Sequence, residues 1–319
     1  MFESTFKNFK INFNTSNARN SFSSGDIITG HISFDLTKET KITSISMALT
    51  GKANIHWSQG GGGKRRRKHY SAKLDFFDLK AAIVQENGAV GKAIKLQPGT
   101  HLYPFTCQIP QGDFPSSFKG IHGQIVYSLT VSINRPWHMS KNFETELNFV
   151  NHIDVNQPEL RAPLSGSNSM TLCCLWCSSG PITMTVSVEK KAFLPGEMAK
   201  VICEFSNASS KTATPKVKLQ QKQIYYTHNK VHQRIGYRHL ASTTGEPVRA
   251  HTSDVHSEIR LTIPAASALT ISNCSILVNE YMIEVNLSVI AHPDLTVLFP
   301  IILCDEPVFP QPPTVLYTD

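Results

Sequence analysis

The sequence predicts an all-β protein built from two antiparallel β-sandwich units in tandem, and three observations carry that prediction. Apolar and polar residues alternate with a period of two along most of the chain. Helical periodicity is close to absent. A Gly-centred turn with its flanking strands occurs twice, as Phe22-Ser23-Ser24-Gly25-Asp26 and again as Phe193-Leu194-Pro195-Gly196-Glu197.

The strands follow in order. Phe9-Lys10-Ile11-Asn12-Phe13 precedes the first turn and Ile182 to Val188 the second, each alternating as a half-buried strand does. Behind the turns come Ile28 to Leu36 and Ala199 to Phe205. Ile45, Met47 and Leu49 alternate next, then Leu74 and Phe76, and later Ile125 through Ile133 in a long run. Phe105-Thr106-Cys107-Gln108-Ile109-Pro110 is echoed by Ile259-Arg260-Leu261-Thr262-Ile263-Pro264, and Tyr127 and Tyr281 each follow their proline by 17 residues. The interval from turn glycine to proline is longer in the first half, which the loop Gly60 to Lys68 is expected to absorb. Three landmarks in one order indicate one β unit present twice.

Residues 154–172 lose the alternation and gain Pro, Ser and Gly, so they read as a linker between a first unit at 1–153 and a second at 173–305. The final strand, Leu295 to Leu303, is apolar on both faces until Pro300 interrupts it. The Pro-rich stretch 306–319 reads as a loose tail.

With 319 residues there is room for two cores. No run reaches the roughly 18 to 20 apolar residues of a membrane-spanning helix, and Met1 to Lys7 has no secretory pattern, which predicts a cytoplasmic protein. Seven unevenly spaced cysteines fit free thiols, with Cys107 and Cys203 at buried strand positions. The net charge of +7 points to anionic membrane surfaces or phosphorylated segments; no nucleic-acid-binding signature accompanies it.

The charge is densest at Gly60 to Lys68, where four glycines precede Lys64, Arg65, Arg66, Arg67 and Lys68. Such a segment forms no packed element, because the glycines are flexible and adjacent cations repel. It reads as a solvated hairpin tip, as a contact for acidic lipid headgroups or phosphorylated segments, or as a nuclear-localisation signal. Cys173, Cys174 and Cys177 have the spacing of half a zinc knuckle, but a second ligand pair is missing nearby, so no metal is assigned. Buried thiols and S-acylation beside Leu172, Leu175 and Trp176 are the other readings. The thirteen histidines are scattered without any catalytic motif, so neither an enzyme nor a cofactor is expected.

The ordered set Phe22 to Gly30, His152 to Asn156, Cys173 to Pro181, Leu194 to Glu197 and Cys274 to Tyr281 closely resembles the alpha-arrestins, most nearly the arrestin domain-containing proteins of the type-three kind. The likeness runs from Phe6 to about Leu303. It implies two arrestin-like, immunoglobulin-type sandwich domains in a non-catalytic adaptor peripheral to the plasma membrane and endosomes. Such adaptors bind membrane receptors and transporters for endocytosis and sorting, and recruit WW-domain ubiquitin ligases through Pro-Pro-x-Tyr motifs in a C-terminal tail. This chain departs from that motif, since Pro312 and Pro313 are followed by tyrosine only at Tyr317, two positions late. A WW groove reads a polyproline helix and a tyrosine in fixed register, so direct ligase recruitment is expected to be weak or indirect. The alternative to an adaptor is a structural scaffold of a sorting complex that touches no cargo. Conventional arrestins hold phosphorylated tails on basic residues of their first strand, which marks Lys7 and Lys10, with Arg135 after a later strand. One relative engages thioredoxin through a cysteine of its second domain; the corresponding stretch here, with His251, Ser253, Asp254 and His256, has none.

Overall fold

The computed structural model of the protein describes residues 5–14, 21–60, 67–85, 93–174 and 177–310, with backbone alone at 173–174 and 177–179. The chain divides into two compact units. One comprises Met1–Asn151 with Tyr226–His232 and Asn273–Ile276, the other His152–Tyr225, Gln233–Ser272 and Leu277–Asp319.

In the first unit the strands are β1 (Phe6–Phe13), β2 (Ser21–Phe22), β3 (Ile27–Leu36), β4 (Thr40–Ile42), β5 (Ser44–Gln59), β6 (Lys68–Gln85), β7 (Ile94–Leu96), β8 (Gly99–Gln108), β9 (Phe118–Lys119), β10 (Gly123–Asn134) and β11 (Lys141–Phe149). They form a sheet in the order β1-β3-β8, a second in the order β2-β11-β10-β5-β6 with β9 beside β10, and a small β4-β7 pair. Burial follows the pleat. Along β5 every second residue from Ile45 to Trp57 is buried, and its neighbours are not. Aromatic rings fill the space between the sheets, with Phe9 on Phe143 at 3.6 Å between centroids and Tyr127 on Phe149 at 4.3 Å.

The second unit begins with a single helical turn, α1 (Pro158–Arg161), and continues with β12 (Leu164–Cys174), β13 (Cys177–Val188), β14 (Ala192–Phe193), β15 (Met198–Asn207), β16 (Ala213–Tyr226), β17 (Gln233–Thr244), β18 (Thr252–Thr262), β19 (Leu277–Val289) and β20 (Leu295–Leu303). Its sheets run β12-β13-β15-β18 and β14-β20-β19-β16-β17, and one hydrophobic core takes residues from both. Strand by strand the orders correspond: β3 with β15, β8 with β18, and β2-β11-β10-β5-β6 with β14-β20-β19-β16-β17.

The twin turns agree down to single hydrogen bonds. Asp26 N–H donates to Ser23 O and Ser23 N–H to Asp26 Oδ2, at 3.1 and 2.8 Å; Glu197 N–H to Leu194 O and Leu194 N–H to Glu197 Oε2 span 3.1 and 2.7 Å. The glycines stand at φ +83° and +90°, the left-handed region where a side chain is disfavoured. After each turn's entry strand a two-residue parallel pairing docks the closing strand, Phe22 against Phe149 and Phe193 against Leu303. Tyr127 and Tyr281 each donate a 2.7 Å bond to a carbonyl upstream, Pro115 O and Ala268 O.

Three expectations need correction. The stretch 154–172 is not linker throughout, since Leu164–Cys174 is a strand paired along β13. Leu164, Met170 and Leu172 pack on the core, and Gly166 with the exposed Asn168 stand in the same row between them, which hides the alternation. Gly166 is there because a Cβ would lie 2.9 Å from Val297 Cγ1, and Asn168 Nδ2 donates to Thr296 O at 2.9 Å. The tail expected to be loose from 306 is tied down as far as Phe309: Val308 is buried, Lys190 Nζ donates to Val308 O at 2.5 Å, and Arg161 Nε donates to Phe309 O at 3.0 Å. The longer first half is not a matter of the Gly60 to Lys68 loop. β5 and β6 have 16 and 18 residues against 14 and 12 in β16 and β17, and the β4-β7 pair has no counterpart among the described residues of the second unit.

Pro300 does not end its strand. It sits opposite Met282 of β19, while β14 reaches β20 only at Ile302 and Leu303. With so short a partner on that side, the missing N–H costs little.

Candidate functional site

β1 is an edge strand whose sequence sets both a core face and a cationic face. Phe6 and Phe9 lie three apart, so strict alternation would send one of them outward. A bulge resolves this: the register passes from Lys7–Asp35 to Lys10–Ser33, so Asn8 and Phe9 together oppose Phe34. Asn8 takes φ +52°, a conformation asparagine tolerates, and its Nδ2 donates to Asp35 Oδ2 at 2.7 Å. Thr100 Oγ1 donates to the other oxygen at 2.8 Å. These bonds, Asn8 first, hold the Asp35 carboxyl below its usual range. Phe6 and Phe9 then pack inward on Phe34 and Phe143, which leaves Lys7 half-buried and Lys10 exposed on the other face. Beside the strand an open cleft is lined by Ile11, Phe13, Phe22, Glu146 and Leu147.

The basic loop lies at the far end of the β5–β6 hairpin, after the pair Gln59–Lys68. Arg67 and Lys68 are exposed there, while Lys64, Arg65 and Arg66 lie outside the described residues. The structure therefore places Lys7 and Lys10 on one face of β1. Cys173 and Cys174 end β12 and Cys177 begins β13, with Cys173 paired to Ser178 and Cys174 to Cys177; their side chains are outside the description. So are Pro312, Pro313 and Tyr317.

Three of the described thiols are poor nucleophiles. Burial pushes Cys203 up to about 12 and both Cys107 and Cys304 up to about 11, where the thiolate is scarce at neutral pH. Among the described residues one group, His152, Asp305 and Glu306, brings metal-ligating atoms within 4.8 Å of one another. His152 Nδ1 and Asp305 Oδ2 are already bonded to each other at 2.5 Å.

Sequence reasoning missed Lys190. It is 3% exposed, its Nζ bonds Glu197 Oε1 and Val308 O, and it lies 5.1 Å from the centre of the Phe193 ring. Its neighbours Glu189 and Lys191 read as one polar stretch, and only the twin-turn position of Glu197, seven residues on, marks it as a partner.

Comparison with known proteins agrees with this architecture. Residues 9–156 match the arrestin (or S-antigen) N-terminal domain, and residues 178–308 match the arrestin (or S-antigen) C-terminal domain. Arrestin domain-containing protein 4 is 25% identical in Mus musculus over 88% of this chain and 68% of the relative, and 24% identical in Homo sapiens over the same shares. Human thioredoxin-interacting protein is 23% identical over 89% of this chain and 70% of the relative. The chain belongs to the alpha-arrestin family. As an alpha-arrestin it carries two all-β arrestin domains in tandem. Arrestin-family proteins are generally non-enzymatic adaptors that bind membrane cargo and trafficking partners. No helix among the described residues is long and apolar enough to cross a membrane.

Proposed function

We propose that this alpha-arrestin is a non-catalytic adaptor that binds cytosolic segments of membrane receptors or transporters and directs them into endocytosis, endosomal sorting and ubiquitin-dependent regulation. The observation that carries the reading is the β1 edge, where a bulged strand sets Lys7 and Lys10 on the face opposite Phe6 and Phe9. An unpaired strand edge is a template for an extended peptide, and cations beside it favour acidic or phosphorylated cargo segments. Lys64 to Lys68 would orient the protein toward an anionic bilayer at the plasma membrane or endosomes, and Cys173, Cys174 and Cys177 are the candidate acylation sites. A WW contact made through Pro312, Pro313 and Tyr317 would be weak, because Tyr317 stands two residues out of register. The boundary between the arrestin-like units is taken to fall between residue 153 and the start of β12 at Leu164.

Proximity labelling in cells tests the proposal, with the wild type beside a Lys7→Glu/Lys10→Glu variant. Receptors and transporters should dominate the wild-type labels and be depleted in the variant. Labels confined to coat and sorting subunits would overturn it in favour of a scaffold that touches no cargo.

A further inference from the structure

The β10–β11 hairpin ends in a tip whose apex, Trp137 to Met139, is exposed. Its sequence is Arg135-Pro136-Trp137-His138-Met139-Ser140. His138 N–H donates to Arg135 O at 3.4 Å, which closes a four-residue turn with Pro136 second and Trp137 third. Trp137 stands at φ +61°. A positive φ at the third position is the signature of a type II turn, where glycine or asparagine is the default and a bulky side chain is disfavoured. The turn nevertheless displays Trp137 at 101% exposure and Met139 at 91%.

The tip is braced. His138 Nδ1 donates to Pro136 O at 2.7 Å, Ser140 Oγ to Asn134 Oδ1 at 2.5 Å, and Asn134 Nδ2 to Ser44 Oγ at 2.8 Å. Its base is cationic, with Arg135 over the Phe6 ring at 5.6 Å and Lys141 over Phe143 at 5.9 Å, and residues 134–143 contain no carboxylate. A hydrogen-bonded tip with two large apolar side chains exposed at its apex and the exposed Lys141 at its base matches a bilayer interface. Tryptophan favours the headgroup level, apolar neighbours enter the acyl boundary, and Lys and Arg meet anionic lipid.

We propose that this hairpin tip inserts Trp137 and Met139 into the surface of membranes containing anionic phospholipid. The site is distinct from the basic loop. β10 pairs with β5 from Asn134–Ser44 to Gly123–Ile55, so the tip adjoins the start of β5 while Lys68 faces its end at Gln59. The 15 steps between Ser44 and Gln59 amount to about 50 Å of strand. The inference rests on the membrane-peripheral part of the reading above and needs neither cargo nor ligase.

The test is co-sedimentation of the purified full chain with phosphatidylcholine vesicles, with and without about 30% phosphatidylserine. Trp137→Ser/Met139→Ser and a charge reversal of Lys64 to Lys68 are run beside the wild type. The double variant should partition at least about tenfold more weakly onto the anionic vesicles, since two apolar side chains no longer leave water. Trp137→Phe should keep most of the binding. The emission lost in Trp137→Phe should be the part quenched by brominated acyl chains. Equal partitioning of double variant and wild type, or a Trp137 emission indifferent to brominated lipid, overturns the proposal, as does a wild type that binds no vesicle, which would assign the tip to a protein partner. Because the vesicles hold no protein, these results leave the cargo proposal to its own labelling experiment.

Discussion

Changing Tyr127 to Phe and, separately, Tyr281 to Phe removes one corresponding hydrogen bond from each unit, and the surroundings make the two losses unequal. Each hydroxyl donates a 2.7 Å bond to a backbone carbonyl, Pro115 O in the first unit and Ala268 O in the second. Tying a strand to the crossing segment in this way is the role of the tyrosine corner in immunoglobulin-type sandwiches. In Tyr127→Phe the ring keeps its stack on Phe149 at 4.3 Å, so the cost is that of one abandoned buried acceptor, about 1–3 kcal/mol. Tyr281 also accepts from Gln221 Nε2 and Asn279 Nδ2, both at 3.2 Å. Those amides keep better partners, Asn279 Oδ1 at 2.8 Å and Leu269 O at 2.9 Å, so their loss adds only about 1 kcal/mol. Tyr281→Phe should therefore cost about 2–4 kcal/mol and exceed Tyr127→Phe by about 1 kcal/mol. A two-unit chain need not unfold in one step. The assay is hydrogen exchange read separately on the amides of β10 and β19. A larger loss of protection in β10 than in β19, or no measurable loss in either, would refute the reasoning.

Two further outcomes follow from the described side chains. Lys190→Met removes the cation that joins Glu197 to Val308 O and should cost about 3 kcal/mol, the lower end for a broken buried pair because the Glu197 side chain is 27% exposed and keeps the Leu194 N–H. The amides around Val308 should exchange faster, and Lys190→Met/Glu197→Gln should recover part of the loss; undisturbed protection there would count against the tie. Burial raises the Cys203 thiol from 9.0 to about 12, so the folded state holds the proton more tightly than the unfolded chain. That contribution is whole below about pH 9 and is lost as pH climbs toward 12, so Cys203→Ala should flatten the alkaline fall in urea stability over that window. An unchanged slope would show that other groups, the buried tyrosines among them, account for all of it.

Much of the fold was legible because its determinants are local. The twin glycines need positive φ, the alternation of Ile45 to Leu49 and of Ile125 to Ile133 needs only a pleat, and the prolines and tyrosines keep fixed distances along the chain. What stayed hidden depends on partners far away in sequence. β12 escaped because Gly166 makes room for Val297 and Asn168 serves Thr296, neither of which a window on 164–172 contains. The bulge at Asn8 shows only as an odd spacing between Phe6 and Phe9, whose meaning comes from Phe34 and Phe143 across the sheets. Lys190 and the Trp137 tip were passed over for opposite reasons. A lysine between polar neighbours reads as solvated, and a tryptophan among strands reads as core.

The parallel docking of β2 on β11 and of β14 on β20 carries a cost during synthesis. Phe22 waits for Phe149, and Phe193 waits for Leu303, so neither sandwich can close until its last strand has left the ribosome. A nascent chain halted before Leu295 would present one side of β19, a run alternating from Leu277 to Val289, without its neighbour. Such a bare rim invites intermolecular pairing, which makes premature termination more hazardous for solubility than most single substitutions in the finished molecule.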